Sequence, residues 1–225
     1  MASLIKALSA LLSYPSEELQ AAAAEIAEVV REAVTLSAPV RQALIALALD
    51  LESGDLIDLQ SRYGDLFDRS RSLSLHLFEH SYGESRDRGQ AMVNLRERYR
   101  AAGADIATNE LPDYLPLLLE FLSLRPEAET KVLLGEAAPV LRVLQERLAA
   151  RGSVYAAVFA ALEALGQQEP DPKQLAELRQ VAAEDPDDLA ALDRAWQESE
   201  VLFGPGGLSE SDCPAVRPKT EEKVS

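Results

Sequence analysis

LPDYLPLLLEFLSL, residues 111–124, is apolar around most of its circumference when wound as a helix. Leu111, Leu115, Leu118, Leu119 and Leu122 share one face, and Leu117, Phe121 and Leu124 form a second. A helix greasy on two sides has neighbours on two sides, so this segment is expected at the centre of a helical fold. Pro112 suits the first helical position, because a helix leaves its first N–H groups unpaired in any case. Asp113 and Glu120 are its strongest polar interruptions, and a spacing of seven points their carboxylates in nearly the same direction. They read either as a first-turn dipole partner and an ion-pair member, or as two acids on the wall of a binding groove.

Helical spacing continues on both sides. It runs through Leu19, Ala23, Ile26 and Val30, then Val40, Leu44, Leu47 and Leu51, then Leu56, Leu59, Tyr63 and Leu66. It returns in Met92, Leu95 and Tyr99, in Ala137, Leu141, Leu144 and Leu148, in Val154, Val158 and Leu162, and in Leu189, Leu192, Trp196 and Phe203. No segment alternates as a strand, so the fold class is all-α, with about ten helices. Ser16, Ser37 and Ser53 stand where caps belong, and Gly103 and Gly152 where helices stop. One compact multi-helix domain over residues 1–203 is expected. Beyond Phe203, Gly204, Pro205, Gly206, Gly207, Pro214 and Pro218 carry too little apolar surface to fold, and residues 204–225 read as a disordered tail.

The bulk properties narrow the function. In 225 residues, 22 basic side chains against 38 acidic ones leave a net charge of -16, which opposes phosphate-backbone binding and favours basic partners. Cys213 is the single cysteine, so no intrachain disulfide can form, which fits a reducing cytoplasm. The stretch around Leu4, Ile5, Leu8, Leu11 and Leu12 lacks a basic region ahead of it and contains Lys6, so it reads as an amphipathic helix and not a signal sequence. The longest apolar run, Val154 to Leu162, is far short of the roughly 18 residues of a membrane span.

His76, Leu77, Phe78, Glu79 and His80 spell the H-x-x-E-H of inverted zinc peptidases, with both histidines one turn apart and Glu79 placed to activate a water. A zinc-dependent hydrolase is therefore the alternative function. These are the only histidines of the chain, no zinc-peptidase framework surrounds them, and short motifs arise by chance, so no metal is expected. Phosphate loops, nucleophile elbows and paired cysteines are absent from the sequence. Arg62, Arg69, Arg71, Arg86, Arg88, Arg96, Arg98 and Arg100 are interleaved with Asp65, Asp68, Glu79, Glu84, Asp87 and Glu97, a pattern of ion pairing and not of nucleic-acid binding. The polar loop Tyr82 to Gly89, between apolar helices, is either a helix start capped by Ser85 or Asp87, or a functional loop.

LFDRSRSLSLHLFEHSYGESRDRGQAMVNL, residues 66–95, closely resembles the central signature of the NarJ family of nitrate reductase assembly chaperones, and NELPDYLPLLLEFL, residues 109–122, resembles its second signature. The resemblance extends from about Leu4 to about Phe203. It implies a TorD-like all-helical fold and a non-enzymatic chaperone without a cofactor of its own. The implied partner is the N-terminal segment of the catalytic subunit of nitrate reductase, held until its molybdenum cofactor is inserted and before membrane anchoring. Molybdenum cofactor delivery proteins are further implied partners. The wider TorD-like group carries Glu-Pro-x-Asp-His, whereas Glu110, Leu111, Pro112, Asp113 and Tyr114 shift the proline and lack the histidine, so a nucleotide-linked role does not carry over. A helix-in-groove mechanism unites the physical reading with the resemblance. The expected peptide-binding residues are Tyr63, Phe67, Phe78, Asp113, Tyr114, Leu117 and Glu120, with His80, Arg86, Asp87 and Arg88 on the adjoining loop.

Overall fold

A computed structural model describes residues 1–69, 71–83, 85–106 and 110–180, and these form eleven α-helices. Their order is α1 (Ala2–Leu11), α2 (Glu17–Glu32), α3 (Ala38–Ser53), α4 (Leu56–Phe67), α5 (Leu77–Tyr82), α6 (Arg86–Ala101), α7 (Leu115–Ser123), α8 (Glu127–Glu136), α9 (Ala138–Ala150), α10 (Ala156–Gly166) and α11 (Pro172–Gln180). A single 3₁₀ turn, Arg71–Leu73, precedes α5. No described helix is long and apolar enough to cross a membrane. The expected helix through Leu189 and Trp196 and the expected tail lie outside the described residues.

The expected caps divide, and Ser37 takes the cap position of α3 without a side-chain bond. Ser16 accepts the Leu19 N–H at 3.2 Å, as a cap should, whereas Ser53 ends α3 and Asp55 caps α4 through the Ile57 and Asp58 N–H groups. Gly103 and Gly152 both take positive φ, the left-handed conformation that stops a helix at little cost to glycine.

The core sits around α1, α7 and α10. Ile5, Leu8, Leu11 and Leu12 are completely buried, and α1 lies along α7, where the buried Ser9 hydroxyl donates to the Pro116 carbonyl at 2.7 Å. The helix α10 is packed by α3, α8 and α9, and its Val158, Phe159, Ala161 and Leu162 are sealed from solvent. Its close approach to α8 depends on Gly166, where a Cβ would stand 3.2 Å from that of Leu134. The pair α2 and α3 flanks this centre.

The opening segment is central, with two corrections. The helix starts at Leu115 and not near Pro112, and Pro116 occupies the first turn. Either proline satisfies the first-turn rule; pairing of Asp113 and Leu115 with the chain around Leu75–Leu77 decides between them. The second apolar face is only partly covered, since Phe121 is buried against Tyr99 at 4.4 Å between centroids, Leu117 is half-buried and Leu124 is exposed. Leu119 is fully buried in α7. Leu119→Ala is therefore expected to cost about 2–5 kcal/mol in denaturant unfolding, while Leu124→Ala changes stability by less than about 0.5 kcal/mol.

Candidate functional site

The two sequence signatures meet at a short antiparallel bridge between His76 and Tyr114. Leu77 N–H donates to the Asp113 carbonyl at 3.1 Å, and Leu115 N–H donates to the Leu75 carbonyl at 2.9 Å. Asp113 is fully buried, so its carboxylate must be satisfied inside the protein. It accepts the Phe78 N–H at 3.0 Å, in the first turn of α5, and faces His76 Nδ1 at 3.4 Å. The Tyr99 hydroxyl fixes the same loop by donating to the Pro112 carbonyl at 2.7 Å.

Around this seam lies an aromatic cluster. Tyr63 donates to the Leu12 carbonyl at 2.8 Å; with that proton committed, the Tyr114 hydroxyl is the donor across the 3.2 Å to Tyr63. Phe67 stands 4.8 Å from Tyr63 and 5.2 Å from Tyr155 by ring centroids, and Tyr114 lies 5.3 Å from the His76 ring. Burial pushes the Tyr63, Tyr99 and Tyr114 phenols up, so all three stay neutral hydrogen-bonding groups.

A groove of about 1070 Å³ opens beside the seam. Leu77, Phe78, His80 and Tyr82 from α5 form one wall, and Ala91, Asn94, Leu95 and Arg98 from α6 form the next. Pro139 and Val140 of α9 and Gln174, Glu177 and Leu178 of α11 stand opposite, over a floor that includes Leu118 and Leu133. Glu97, Glu136 and Glu177 against Arg98 make its charged lining predominantly acidic, and Arg98 is itself paired with Glu136 at 3.5 Å.

The expected binding residues thus divide. Phe78 and His80 line the groove. Tyr63 and Phe67 are core aromatics, and Asp113 is a buried structural acid, because each is needed where α4, α5 and α7 converge. Tyr114 and Leu117 are half-buried beside the aromatic cluster, outside the groove lining. Glu120 is exposed, so the two acids do not share a face; Asp113 precedes the helix, which removes the assumed seven-residue register. Arg86 and Asp87 are exposed at the start of α6 behind the cap position of Ser85, and Arg88 pairs with Glu79 at 3.1 Å. Asn94, Val140, Leu178 and their neighbours were not anticipated, because nothing local in sequence marks helices that become neighbours only on folding.

The H-x-x-E-H residues also part company. His76 has extended backbone ahead of α5 and turns to Asp113, whereas His80, inside the helix, meets the Ser74 carbonyl at 2.8 Å. The Glu79 carboxylate faces Arg88. The one-face arrangement expected of a zinc motif is therefore not formed, and no three metal-ligating side chains gather among the described residues.

Residues 14–161 match the sequence profile described as nitrate reductase delta subunit. The chain belongs to the nitrate reductase delta subunit family. NarJ of Escherichia coli K12, a nitrate reductase molybdenum cofactor assembly chaperone, is 42% identical over 197 residues, 87% of this chain and 83% of its own length. NarW of the same strain, described as a probable chaperone of the same kind, is 38% identical over 201 residues, covering 89% of this chain and 83% of its own. A crystal structure from Archaeoglobus fulgidus, described as a redox enzyme maturation protein, superposes with a TM-score of 0.54 at 24% identity, over 75% of this chain and 94% of that one, and shares the fold. Both strings, residues 66–95 and 109–122, lie within the matched residues, and the fold joins the two segments at Asp113.

The two histidines report directly on the seam. Hydrogen bonding to Asp113 raises His76 above its ordinary value of 6.5, and burial lowers His80. Stabilisation from His76 is complete below the unfolded-state value and is lost as pH rises through the raised folded-state value; His80 contributes stability that is lost as pH falls. In an NMR titration the two imidazoles should fall on opposite sides of 6.5. Asp113→Ala should bring His76 back toward that value and cost about 1–3 kcal/mol, since it strands the Phe78 N–H. Coincident titrations would refute this assignment.

Proposed function

We propose that the chain is a system-specific, non-catalytic assembly chaperone that acts in the cytoplasm on the catalytic subunit of nitrate reductase before it joins its membrane anchor. It holds the N-terminal segment of the apo subunit while the molybdenum cofactor is inserted, and cofactor delivery proteins meet the complex at that stage. The observation that carries this reading is the groove formed by α5, α6, α9 and α11, immediately beside the joined family signatures. Leu77, Leu95, Leu118, Leu133 and Val140 supply an apolar lining, and Glu97 and Glu136 supply negative charge. Such a trough suits an amphipathic helix with one apolar face and basic flanks, the association being driven by apolar burial and oriented by charge. The excess negative charge of the whole chain favours the same class of ligand.

Ala91 lies on the groove side of α6 and is not part of the sealed core, so Ala91→Trp fills the trough with little effect on folding. In calorimetric titration with a peptide copying the N-terminal segment of the catalytic subunit, this variant should lose at least about tenfold in affinity, equivalent to about 1.4 kcal/mol, with unchanged thermal unfolding. Tyr114→Phe, beside the aromatic cluster and away from the groove, should bind almost as the native protein does. Full binding by the tryptophan variant would place the leader elsewhere.

A further inference from the structure

One wall of the groove is held in place lightly. In α11 only Leu175 is buried; Leu178 is half-buried and the other seven residues are exposed. Among the described residues, two side chains of α9 hold it by polar contacts. Arg147 donates one guanidinium nitrogen to the Leu178 carbonyl at 3.1 Å and another to the Ser72 carbonyl at 2.8 Å. Glu146 takes a two-pronged contact from Arg179, at 2.9 Å and 2.5 Å, but both side chains are open to water, where ion pairs contribute little.

The seat of α11 is continuous with the groove. Pro139, Val140, Val143, Glu146 and Arg147 fall at spacings of three, four and seven, on one side of α9. The first two line the groove and the last two hold α11. A single face of α9 therefore underlies both. On α11, Leu175 and Leu178 are three apart, the spacing with which an amphipathic helix inserts its anchors into such a trough.

From this arrangement we infer that α11 is an internal stand-in for the client helix: it occupies one end of the trough at rest and is displaced when the client docks. The inference rests on the leader-binding reading above and adds its regulation. Displacement exposes the α9 face beneath Leu175 and lengthens the apolar seat. It also breaks the contact between Arg147 and the Leu178 carbonyl, while the contact to Ser72 keeps the guanidinium in position. Lifting α11 lowers apparent affinity by the fraction of molecules in which it is already displaced, so a client must supply enough apolar contact to replace it. Short or poorly amphipathic peptides are rejected on that ground.

The test uses the full chain and the same leader peptide. Arg179→Ala removes only the exposed contact, and Leu175→Ala removes the main anchor. Leu175→Ala should bind the peptide more tightly, by about threefold to tenfold, because the competing helix is weakened, and Arg179→Ala should change affinity by less than about threefold, since the contact it removes is exposed. Hydrogen exchange of the native protein should show faster exchange at residues 172–180 on adding peptide, while Leu77–Tyr82 slows. Unchanged or weaker binding by Leu175→Ala, or slower exchange in α11, would show that this helix is a fixed wall and overturn the displacement alone. Failure of every form to bind the peptide saturably would remove the leader reading and the inference together.

Discussion

A buried carboxylate with nowhere to go but into the backbone of another segment is the constraint on which the site depends. Asp113 has no access to water, and its nearest donors are the Phe78 N–H and the His76 ring. An unpaired charge there would cost several kcal/mol, so the chain around 74–78 must be where it is whenever the loop 112–115 is folded. The reciprocal backbone bonds of Leu77 and Leu115 make the fit mutual. The segments 74–78 and 112–115, separated by more than thirty residues, are joined with a register set by one side chain, which orients α5 at one end and α7 at the other.

The rest of the site follows from those two orientations. Leu118 is brought to the floor of the groove and Phe78 and His80 to its wall, and α6 returns along α5 anchored by Leu95 and Tyr99. The groove is consequently asymmetric in stability. Its floor belongs to the sealed core shared with α1, whereas α6 and α11 expose most of their residues and carry few buried anchors. Elements with few buried apolar contacts open at the least free-energy cost, so α6 and α11 are where the groove can move without loss of the fold.

Helical class was legible because nearly every apolar residue obeys a 3.6-residue period, and the centrality of α7 was legible from leucines on two faces. The start of that helix was not. Pro112 and Pro116 are equivalent to a local rule, and only the long-range bridge to Leu75–Leu77 distinguishes them. The same four-residue shift separated Asp113 from Glu120 and turned one supposed groove acid into a structural one. That Tyr63 and Phe67 lie in the core and off the groove lining was hidden for a related reason: an aromatic at helical spacing looks the same whether its face meets a groove or Tyr155. The acidic balance needed only composition, but the walls contributed by α9 and α11 carry no local mark, since their position arises from packing. The family resemblance pointed to this pair of segments without saying what joins them.

The central claim is that the leader of the nitrate reductase catalytic subunit lies in the groove bounded by α5, α6, α9 and α11. Photo-crosslinking measures this most directly, with a leader peptide carrying a benzophenone at one apolar position and mass spectrometric mapping on the intact chaperone. Adducts should concentrate on Phe78, Ala91, Leu95 and Val140, and excess unlabelled peptide should compete them away. Competed adducts confined to Tyr14, Leu111, Tyr114 and Leu117, with none in the groove, would contradict it.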